Sequence, residues 1–596
     1  MQKYSVNQHL IETLLTWVKS GEIAIPEIQR PFVWDSSKVR DLMDSLYQGF
    51  PVGYVIAWRN PNVRLKDGSM SEGKKILIDG QQRVTALTAA LLGEYVIDKT
   101  YQRVKIKIAF NPILEKFEVQ NPAILKDHTW IPNIAEAVSG EISILKLVRN
   151  YLAVNPEADE DLVERAFTNL INIPKKQIGI IELSHDLDIE TVTEIFIRIN
   201  SKGVVLSQAD FAMSKIASNT EYQGNVLRKA IDYFCHLAIS PEFYKHIVDN
   251  DPEFAKTEFF AKMQWLKSEN EDLYDPEYTD LIRVAFTSQF NRGRLSDLVS
   301  LLSGRNFETR SFEDSIAEQS FEKLKQGVFN FTNETHFKRF IMIIKSAGFI
   351  SPKLIRSQNA LNFAYILYLK LRELGVNSVH IESYVKRWFV YSVLTGRYSG
   401  SPESIFDYDI KQIHNRPFDE YLKEKEEGEL SEAFWNASLP QSLDTSVASS
   451  PYFNVFLASQ VKANDRGFLS KDVLVSDLIS IRGDIHHLFP RDFLKKNGLD
   501  RGKYNQIANY VYMQSEINIK VGNKPPKEYF ELVNSQIASD NRLVSGLASQ
   551  EELLANLKAN CVPAEIMTMG LEDYQDFLVM RRKLMAQKIK DYYFSL

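Results

Sequence analysis

The chain has 596 residues, a net charge of −6, and a composition that is 44% hydrophobic and 25% charged. This length is too great for one ordinary hydrophobic core and predicts three or four domains. No apolar run is long enough to predict a membrane span, and the N-terminus lacks the pattern of a secretory signal. The only cysteines, Cys235 and Cys561, exclude a disulfide framework and a cysteine zinc site, and they favour a reducing cytoplasm.

The negative net charge bears on nucleic-acid binding. Proteins that bind DNA without regard to its sequence usually carry a basic excess, because lysine and arginine displace counterions from the phosphates. A charge of −6 opposes tight non-specific DNA binding by the chain as a whole. If the protein acts on DNA, its basic residues must therefore be concentrated in one region.

Residues 1–214 alternate short apolar strands with helical patterns, which predicts an α+β domain. The segment SSKVRDLMDSLYQG has apolar residues at helical spacing and ends in a glycine, which predicts a helix with Gly49 as its C-cap. The predicted strands are YVIAW (54–58), KILI (75–78), KIKIAF (105–110) and IGIIEL (178–183).

The segment ILIDGQQRVTAL predicts a strand, an Asp-Gly turn and a helix that begins at about Gln81. Backbone N–H groups at a helix start attract phosphate, and Gly80 allows a ligand to approach closely. Arg83 can fork onto phosphate oxygens, Gln81 and Gln82 can donate hydrogen bonds, and Asp79 can hold a divalent ion. A plain strand–turn–helix corner with an exposed arginine is the alternative. No Walker motif occurs, so the pattern does not indicate a P-loop.

Residues 215–400 read almost entirely as helix, with aromatic-rich amphipathic segments such as ALNFAYILYLKLREL that are typical of a helical core. Residues 401–596 begin with an acidic helix, YLKEKEEGELSEAF, followed by the serine-rich NASLPQSLDTSVASSPYFN, which is predicted to be a linker or mobile loop. The chain ends in the predicted helix LEDYQDFLVMRRKLMAQKIKDYY. The fold class is therefore α+β and mostly helical, with boundaries near residues 214 and 400.

Two adjacent histidines stand in DIHHLFP, a segment predicted to end a strand, and NQIANYVYMQSEINIKVGNKPP follows. A metal-dependent nuclease needs a general base, ligands that leave the metal open, and a scaffold that fixes both. Histidine suits the base, and Mg²⁺ needs only one or two protein ligands. An accidental proximity of two histidines and two asparagines is the alternative.

The order His-His-x-x-Pro, asparagine, and a second asparagine before a turn with lysine and proline resembles the ββα-metal (HNH) nucleases. The resemblance implies that His487 is the general base, and that His486 and Asn518 bind the metal ion. It implies that Asn509 braces the ββα loop at the catalytic centre and that Pro490 closes the turn after the first strand.

The first of these positions departs from the family pattern, because His486 stands where aspartate is common. Mg²⁺ is the expected ion. An imidazole in place of a carboxylate makes the site less negative and a softer ligand set, so Mn²⁺ or Ni²⁺ would suit a histidine ligand better. Asp484 is a candidate supporting carboxylate. A structural zinc site is disfavoured because no CxxC motif lies nearby.

The segment GQQRVTA is similar to the Gly-Glu-Arg-Arg-x-x-Ala phosphate motif of ParB-like nucleotidases. IQRPF resembles that fold's other signature, which implies that Gln29 and Arg30 lie near the same pocket. Together with FIRINSKGVVLSQADF, these segments resemble the N-terminal domain of the GmrSD family, which are type IV, modification-dependent restriction enzymes with relatives such as SspE and BrxU. In the last segment, Arg198, Asn200 and Gly203 are candidates to line a nucleotide or DNA cleft, and a helix–turn–helix joint is the alternative.

The resemblance implies three parts: a ParB-like domain (1–214), a helical middle (215–400) and an HNH nuclease domain (401–596). The first part would bind and hydrolyse a nucleoside triphosphate (GTP, CTP, UTP or ATP) with a divalent metal, using Arg83, and would help to sense modified double-stranded DNA. The last part would cut that DNA, in a bacterial cytoplasm, in defence against phages. The oligomeric state stays open, a homodimer included. The alternatives are a nucleotide-switched DNA-binding adaptor with a degenerate HNH domain, and a nuclease directed at RNA.

Overall fold

The computed structural model describes residues 3–24, 34–59, 75–97, 103–140, 142–184, 187, 191, 208–219, 221–269, 272–481, 485–539 and 544–596. Over these residues the chain separates into two compact units, residues 1–228 and residues 229–596. Helix predominates and sheet is a minor part, as expected for the predicted α+β class. Among the described helices, none combines the length and the apolar character needed to cross a membrane.

The first unit contains most of the strands. They are β1 (Tyr4–Leu10), β2 (Ile23–Ala24), β3 (Tyr54–Arg59), β4 (Lys75–Asp79), β5 (Tyr95–Ile97), β6 (Arg103–Lys105), β7 (Ile108–Asn111), β8 (Lys116–Val119) and β9 (Gln177–Leu183). Within the described residues, the α-helices that lie wholly in this unit are α1 (Ile11–Ser20), α2 (Ser36–Gln48), α3 (Gln81–Leu92), α4 (Ile134–Val138), α5 (Ile144–Val154), α6 (Glu160–Ile171) and α7 (Gln208–Ser218).

Five of these strands form one mixed sheet in the order β1-β9-β3-β4-β2. Strands β9 and β3 are parallel, whereas β3 and β4 are antiparallel. The two short hairpins, β5 with β6 and β7 with β8, divide the predicted strand KIKIAF between them. The sheet and its helices share a core that includes Leu14, Met43, Val55, Leu87 and Ile180.

Helix α2 is one of the two helices that the sequence predicted in this unit, and its ends show why. Asp35 accepts a hydrogen bond from the backbone N–H of Lys38 at 2.9 Å and caps the first turn. Gly49 adopts the left-handed conformation that ends the helix, as predicted. Between these caps Leu42, Met43 and Leu46 are buried.

The boundary between the units falls inside helix α8 (Gly224–Ile239). The helices of the second unit before residue 430 are α9 (Phe243–Asn250), α10 (Pro252–Ala255), α11 (Glu258–Lys262), α12 (Tyr278–Phe290), α13 (Leu295–Leu302), α14 (Asp314–Thr332), α15 (Glu334–Ser346), α16 (Gln358–Glu373), α17 (Ser378–Thr395), α18 (Pro402–Asn415) and α19 (Phe418–Glu429).

The remaining helices are α20 (Leu439–Ser442), α21 (Pro451–Lys462), α22 (Val475–Ser480), α23 (Arg491–Lys496), α24 (Arg501–Tyr504), α25 (Ser515–Val521), α26 (Pro526–Ser539), α27 (Gln550–Ala559) and α28 (Tyr574–Phe594). Two strands, β10 (Ile485–His487) and β11 (Tyr510–Tyr512), pair with each other in this part of the chain. The predicted division of the second unit near residue 400 stays a prediction.

The serine-rich segment is not the predicted linker. A π-helical turn over residues 434–438 leads directly into α20, and α21 begins at Pro451, so only residues 443–450 are irregular. Trp435, Leu439 and Leu443 are buried. Their burial explains the difference, because three large apolar side chains anchor a stretch whose serines suggested exposure.

A buried carboxylate, Asp409, joins three neighbouring elements of the second unit. Arg397, just after α17, binds it through two nitrogens, with Nε donating to Oδ2 at 2.8 Å. The hydroxyls of Tyr398 and Tyr421 also donate to its oxygens, at 2.8 and 2.6 Å. Asp409 is fully buried, and these donors compensate the cost of removing its charge from water.

We expect Asp409→Ala to destabilise the second unit by about 3–5 kcal/mol, because it leaves the largely buried Arg397 guanidinium with only the more distant carboxylate of Glu429, at 3.4 Å. Hydrogen–deuterium exchange of peptides from residues 378–429 should speed up, and the urea midpoint should fall. Asp419→Ala, at an exposed position of α19, is the matched control and should change neither. Equal behaviour of the two variants would refute the stabilising role of Asp409.

Candidate functional site

The strand–turn–helix corner predicted around Gly80 is present in the first unit. Strand β4 ends at Asp79, Gly80 has a φ of +89°, and α3 begins at Gln81. A Cβ on Gly80 would lie 3.1 Å from the Cγ2 of Val55 and 3.2 Å from its Cα. Glycine is therefore required here both by the backbone conformation and by the close approach of β3.

The guanidinium of Arg83 lies at this corner. Its Nη1 donates to the backbone carbonyl of Tyr54 at 2.7 Å. Its Nη2 lies 3.1 Å from where a Cβ on Gly53 would be, and Gly53 also has a positive φ of +84°. Burial lowers the pKa of Arg83, and the Asp79 charge raises it in part. A guanidinium has five N–H donors, so one bond to a carbonyl does not exhaust its capacity to bind phosphate.

The other residues predicted for this site fall into two groups. Gln81 donates from Nε2 to the carbonyl of Leu77 at 3.2 Å, which ties the start of α3 to β4. Gln82 is half-buried in the first turn of α3, whose N-terminus has no side-chain cap. Five predicted residues lie outside the described part of the chain: Gln29, Arg30, Arg198, Asn200 and Gly203.

The histidine pair lies on a hairpin followed by a helix. His486 and His487 are in β10, which pairs antiparallel with β11 so that His487 faces Tyr510 and His486 faces Val511. Helix α25 follows β11 after two residues and contains Asn518 as its fourth residue. Asp484, the candidate supporting carboxylate, is outside the described residues.

Asn509 closes the connection between the two strands. Its Oδ1 accepts from the backbone N–H of Phe489 at 2.8 Å, and its Nδ2 donates to the Phe489 carbonyl at 3.1 Å. The same Nδ2 lies 3.3 Å from the carbonyl of Tyr504, and the Asn509 carbonyl accepts from the N–H of Leu488 at 2.8 Å. The side chain is fully buried, so it replaces water for backbone groups that would otherwise be unsatisfied.

His487 is held on two sides. Its Nε2 is 3.0 Å from the Oδ1 of Asn505, a contact that sequence patterns did not predict. Its ring meets the Tyr510 ring edge-on, with centroids 5.1 Å apart. Burial is the main cause that lowers the pKa of His487, and the Asn505 hydrogen bond opposes it in part. A lowered pKa favours the neutral imidazole, which is the form that accepts a proton.

The two predicted metal ligands, His486 and Asn518, are both half-buried. Over the described ranges, no three histidine, cysteine, aspartate or glutamate side chains gather in a way that could hold a metal ion. One imidazole and one carboxamide, the ligands predicted for this site, would suit a divalent cation that keeps most of its water ligands. It does not fit a structural zinc site, which takes four protein ligands.

The terminal helix α28 contacts the connection between β10 and β11 and stabilises it. The sequence patterns did not predict these contacts. The Tyr574 hydroxyl donates to the carbonyl of Lys503 at 2.9 Å. Arg581 is fully buried and donates from Nη1 to the carbonyl of Ala508 at 2.8 Å. Burial lowers the pKa of Arg581 to about 10. Phe489 packs against Tyr574 and Phe577, with ring centroids about 5 Å apart.

Basic residues are concentrated around the hairpin. Residues 485–527 contain eight lysines and arginines against three acidic residues, an excess of five positive charges in a chain of net charge −6. Arg491, with 62% of its side chain exposed, contributes electrostatically to lowering the pKa of His487. Lys495, Lys496 and Lys503 are also exposed.

Comparison with known proteins finds a family similar to the first part of the chain. Residues 11–217, roughly a third of the chain, match the family described as GmrSD restriction endonuclease, N-terminal domain. The match confirms the GmrSD-like resemblance for this segment and supports a nuclease of the restriction type. An uncharacterized protein of Methanocaldococcus jannaschii is similar over nearly the whole length, with 23% identity over 642 aligned positions that cover 98% of both chains.

Asn509→Ala should destabilise the hairpin by about 1–3 kcal/mol, because it removes the partners of buried backbone groups at Phe489. Faster hydrogen–deuterium exchange over residues 485–512 and a lower thermal midpoint would measure this loss. Asn518→Ala, measured without metal, provides the contrast, since alanine is a good helix former at a half-buried position. If the two variants lower stability equally, Asn509 has no special bracing role.

Proposed function

We propose that the protein is a nucleotide-regulated, divalent-metal-dependent DNA endonuclease of the type IV, modification-dependent restriction kind, which acts in anti-phage defence. The single observation that carries the proposal is the ordered hairpin and helix, β10, β11 and α25, which places His487 on a strand and Asn518 on the following helix around a connection closed by Asn509. This is the arrangement expected of a ββα-metal (HNH) site.

In the proposed reaction each side chain has a role. His487, in its neutral form, accepts a proton from the attacking water. His486 and Asn518 would hold the cation, and Asn509 keeps the hairpin closed. A bound Mg²⁺, Mn²⁺ or Ni²⁺ ion would stabilise charge on the scissile phosphate and on the leaving oxygen.

Charge supports double-stranded DNA as the substrate. The five-charge excess over residues 485–527 supplies lysines and arginines that can pair with phosphates near the proposed base. Arg491 immediately follows Pro490 and begins α23, so it stands four residues from His487. The family match over residues 11–217 supports the restriction type, in which modified DNA is the target.

The corner at Gly80 supports a nucleotide site in the first unit. It combines a helix N-terminus without a side-chain cap, a glycine with a positive φ, and an arginine fixed beside both. These features suit the binding and hydrolysis of a nucleoside triphosphate with a divalent ion near Asp79. Hydrolysis there would regulate DNA cutting by the hairpin.

His487→Ala should lower the rate of plasmid cleavage in Mg²⁺ or Mn²⁺ by at least about 100-fold, because no other group replaces the general base. Nucleoside triphosphate hydrolysis should stay near the wild-type rate. Gel analysis of strand breaks and phosphate release measure the two activities on one preparation. Undiminished cleavage by His487→Ala would show that the hairpin is not the nuclease site, and binding without cleavage by the wild type would favour the adaptor alternative.

Arg83→Ala should have the converse effect and lower triphosphate hydrolysis by at least about 10-fold, because a guanidinium contact to phosphate is lost. Cleavage in the absence of nucleotide should be retained. Arg83→Lys keeps the positive charge without the fork and should give an intermediate rate. A melting curve for each variant controls for loss of the Tyr54 contact. Unchanged hydrolysis in Arg83→Ala would remove this corner from the nucleotide site.

A further inference from the structure

We propose that Asn505 is the positioning residue of the nuclease site: its carboxamide oxygen accepts a hydrogen bond from the Nε2–H of His487 and so leaves Nδ1 as the nitrogen that takes the proton. This inference rests on the proposed function, in which His487 is the general base. Asn505 does not contact the reacting atoms and acts through the imidazole. The geometry on which it depends is the 3.0 Å separation between Nε2 and Oδ1.

In a neutral imidazole, one ring nitrogen carries the proton and donates a hydrogen bond, and the other accepts one. A hydrogen-bond acceptor placed beside one nitrogen keeps the proton there, so the other nitrogen is the one that can accept a proton. With a carboxamide oxygen opposite Nε2, the proton belongs on Nε2 and the lone pair on Nδ1. Because the partner is neutral, it selects this tautomer without adding the negative charge that a carboxylate would bring. The Tyr510 ring, at 85° to the imidazole, restricts the ring's orientation further.

Asn505 can position the imidazole because its own backbone is fixed. Its N–H donates to the carbonyl of Arg501 at 3.2 Å, at the end of α24. Two residues later, the N–H of Ile507 donates to the carbonyl of Thr445 at 2.9 Å. On either side, the Tyr574 and Arg581 side chains of α28 hold the carbonyls of residues 503 and 508. A side chain on a connection tethered at these points is preorganised, as residues that orient a catalytic group must be.

Three variants of the full-length protein separate positioning from general structure. Asn505→Leu keeps the approximate volume but removes the acceptor. Asn505→Asp keeps an oxygen acceptor at the same place. Asn497→Ala is the matched control, because Asn497 is an exposed asparagine just after α23 whose Nδ2 donates to the Phe493 carbonyl of that helix.

The first readout is independent of activity. In protein labelled with ¹⁵N-histidine, at about pH 8 where imidazoles are neutral, the His487 signals are assigned by their loss in His487→Gln. Wild type, Asn505→Asp and Asn497→Ala should show the Nε2–H tautomer, and Asn505→Leu should show a mixture of tautomers. A wild-type His487 protonated on Nδ1, or a tautomer unchanged in Asn505→Leu, would overturn the proposal.

The second readout is cleavage. Asn505→Leu should lower kcat by about 10–100-fold with little change in KM, as the loss of a residue that orients a ligand or base does elsewhere. Asn505→Asp should restore at least part of that rate, and Asn497→Ala should cleave as the wild type does. A rise in KM with an unchanged kcat in Asn505→Leu would contradict positioning. If the wild type does not cleave DNA at all, the proposed function fails, while the tautomer still decides the role of Asn505.

Discussion

The closure of the β10–β11 connection by Asn509 is the constraint on which the candidate nuclease centre depends. Two three-residue strands are too short to be stable alone, so the intervening residues must be held by other means. Asn509 supplies this by bonding both backbone groups of Phe489 from a fully buried position. His487 therefore lies at the end of a strand whose position is fixed. Helix α25, which follows β11 after two residues, begins at a fixed position for the same reason.

The rest of the second unit supports this closure. Tyr529 in α26 donates to the carbonyl of Leu488 at 3.1 Å, and α28 contributes Tyr574 and the buried Arg581. Burying a guanidinium is costly unless it is well bonded, and here it serves two backbone carbonyls in segments far apart in sequence. The last helix of the chain is thus part of the candidate site's architecture, although none of its residues has a proposed chemical role.

Local features were predictable from the sequence, and long-range ones were not. The Gly49 terminus and the Gly80 turn follow from residue types that act on their own neighbours. The strand that ends in the histidine pair was predicted in the same way. The contact between His487 and Asn505 spans eighteen residues, and that between Arg581 and Ala508 spans 73. Any of the nearby asparagines could have been the partner, because amide side chains have no periodic pattern. The prediction of a linker for the serine-rich segment was wrong because it rested on the serine content. It did not consider that Trp435, Leu439 and Leu443 are large apolar residues, which are buried in the structure.

The central claim, that this chain cuts modified DNA at a metal-dependent site, is tested most directly by a cleavage assay on a panel of plasmids. Unmodified, base-modified and phosphorothioated DNAs are incubated with purified protein, with Mg²⁺, Mn²⁺ or Ni²⁺, and with or without each nucleoside triphosphate. The account predicts strand breaks on at least one modified DNA that require the divalent ion and stop when a chelator is added. DNA that is bound under these conditions but never broken, with any ion or nucleotide, would contradict it.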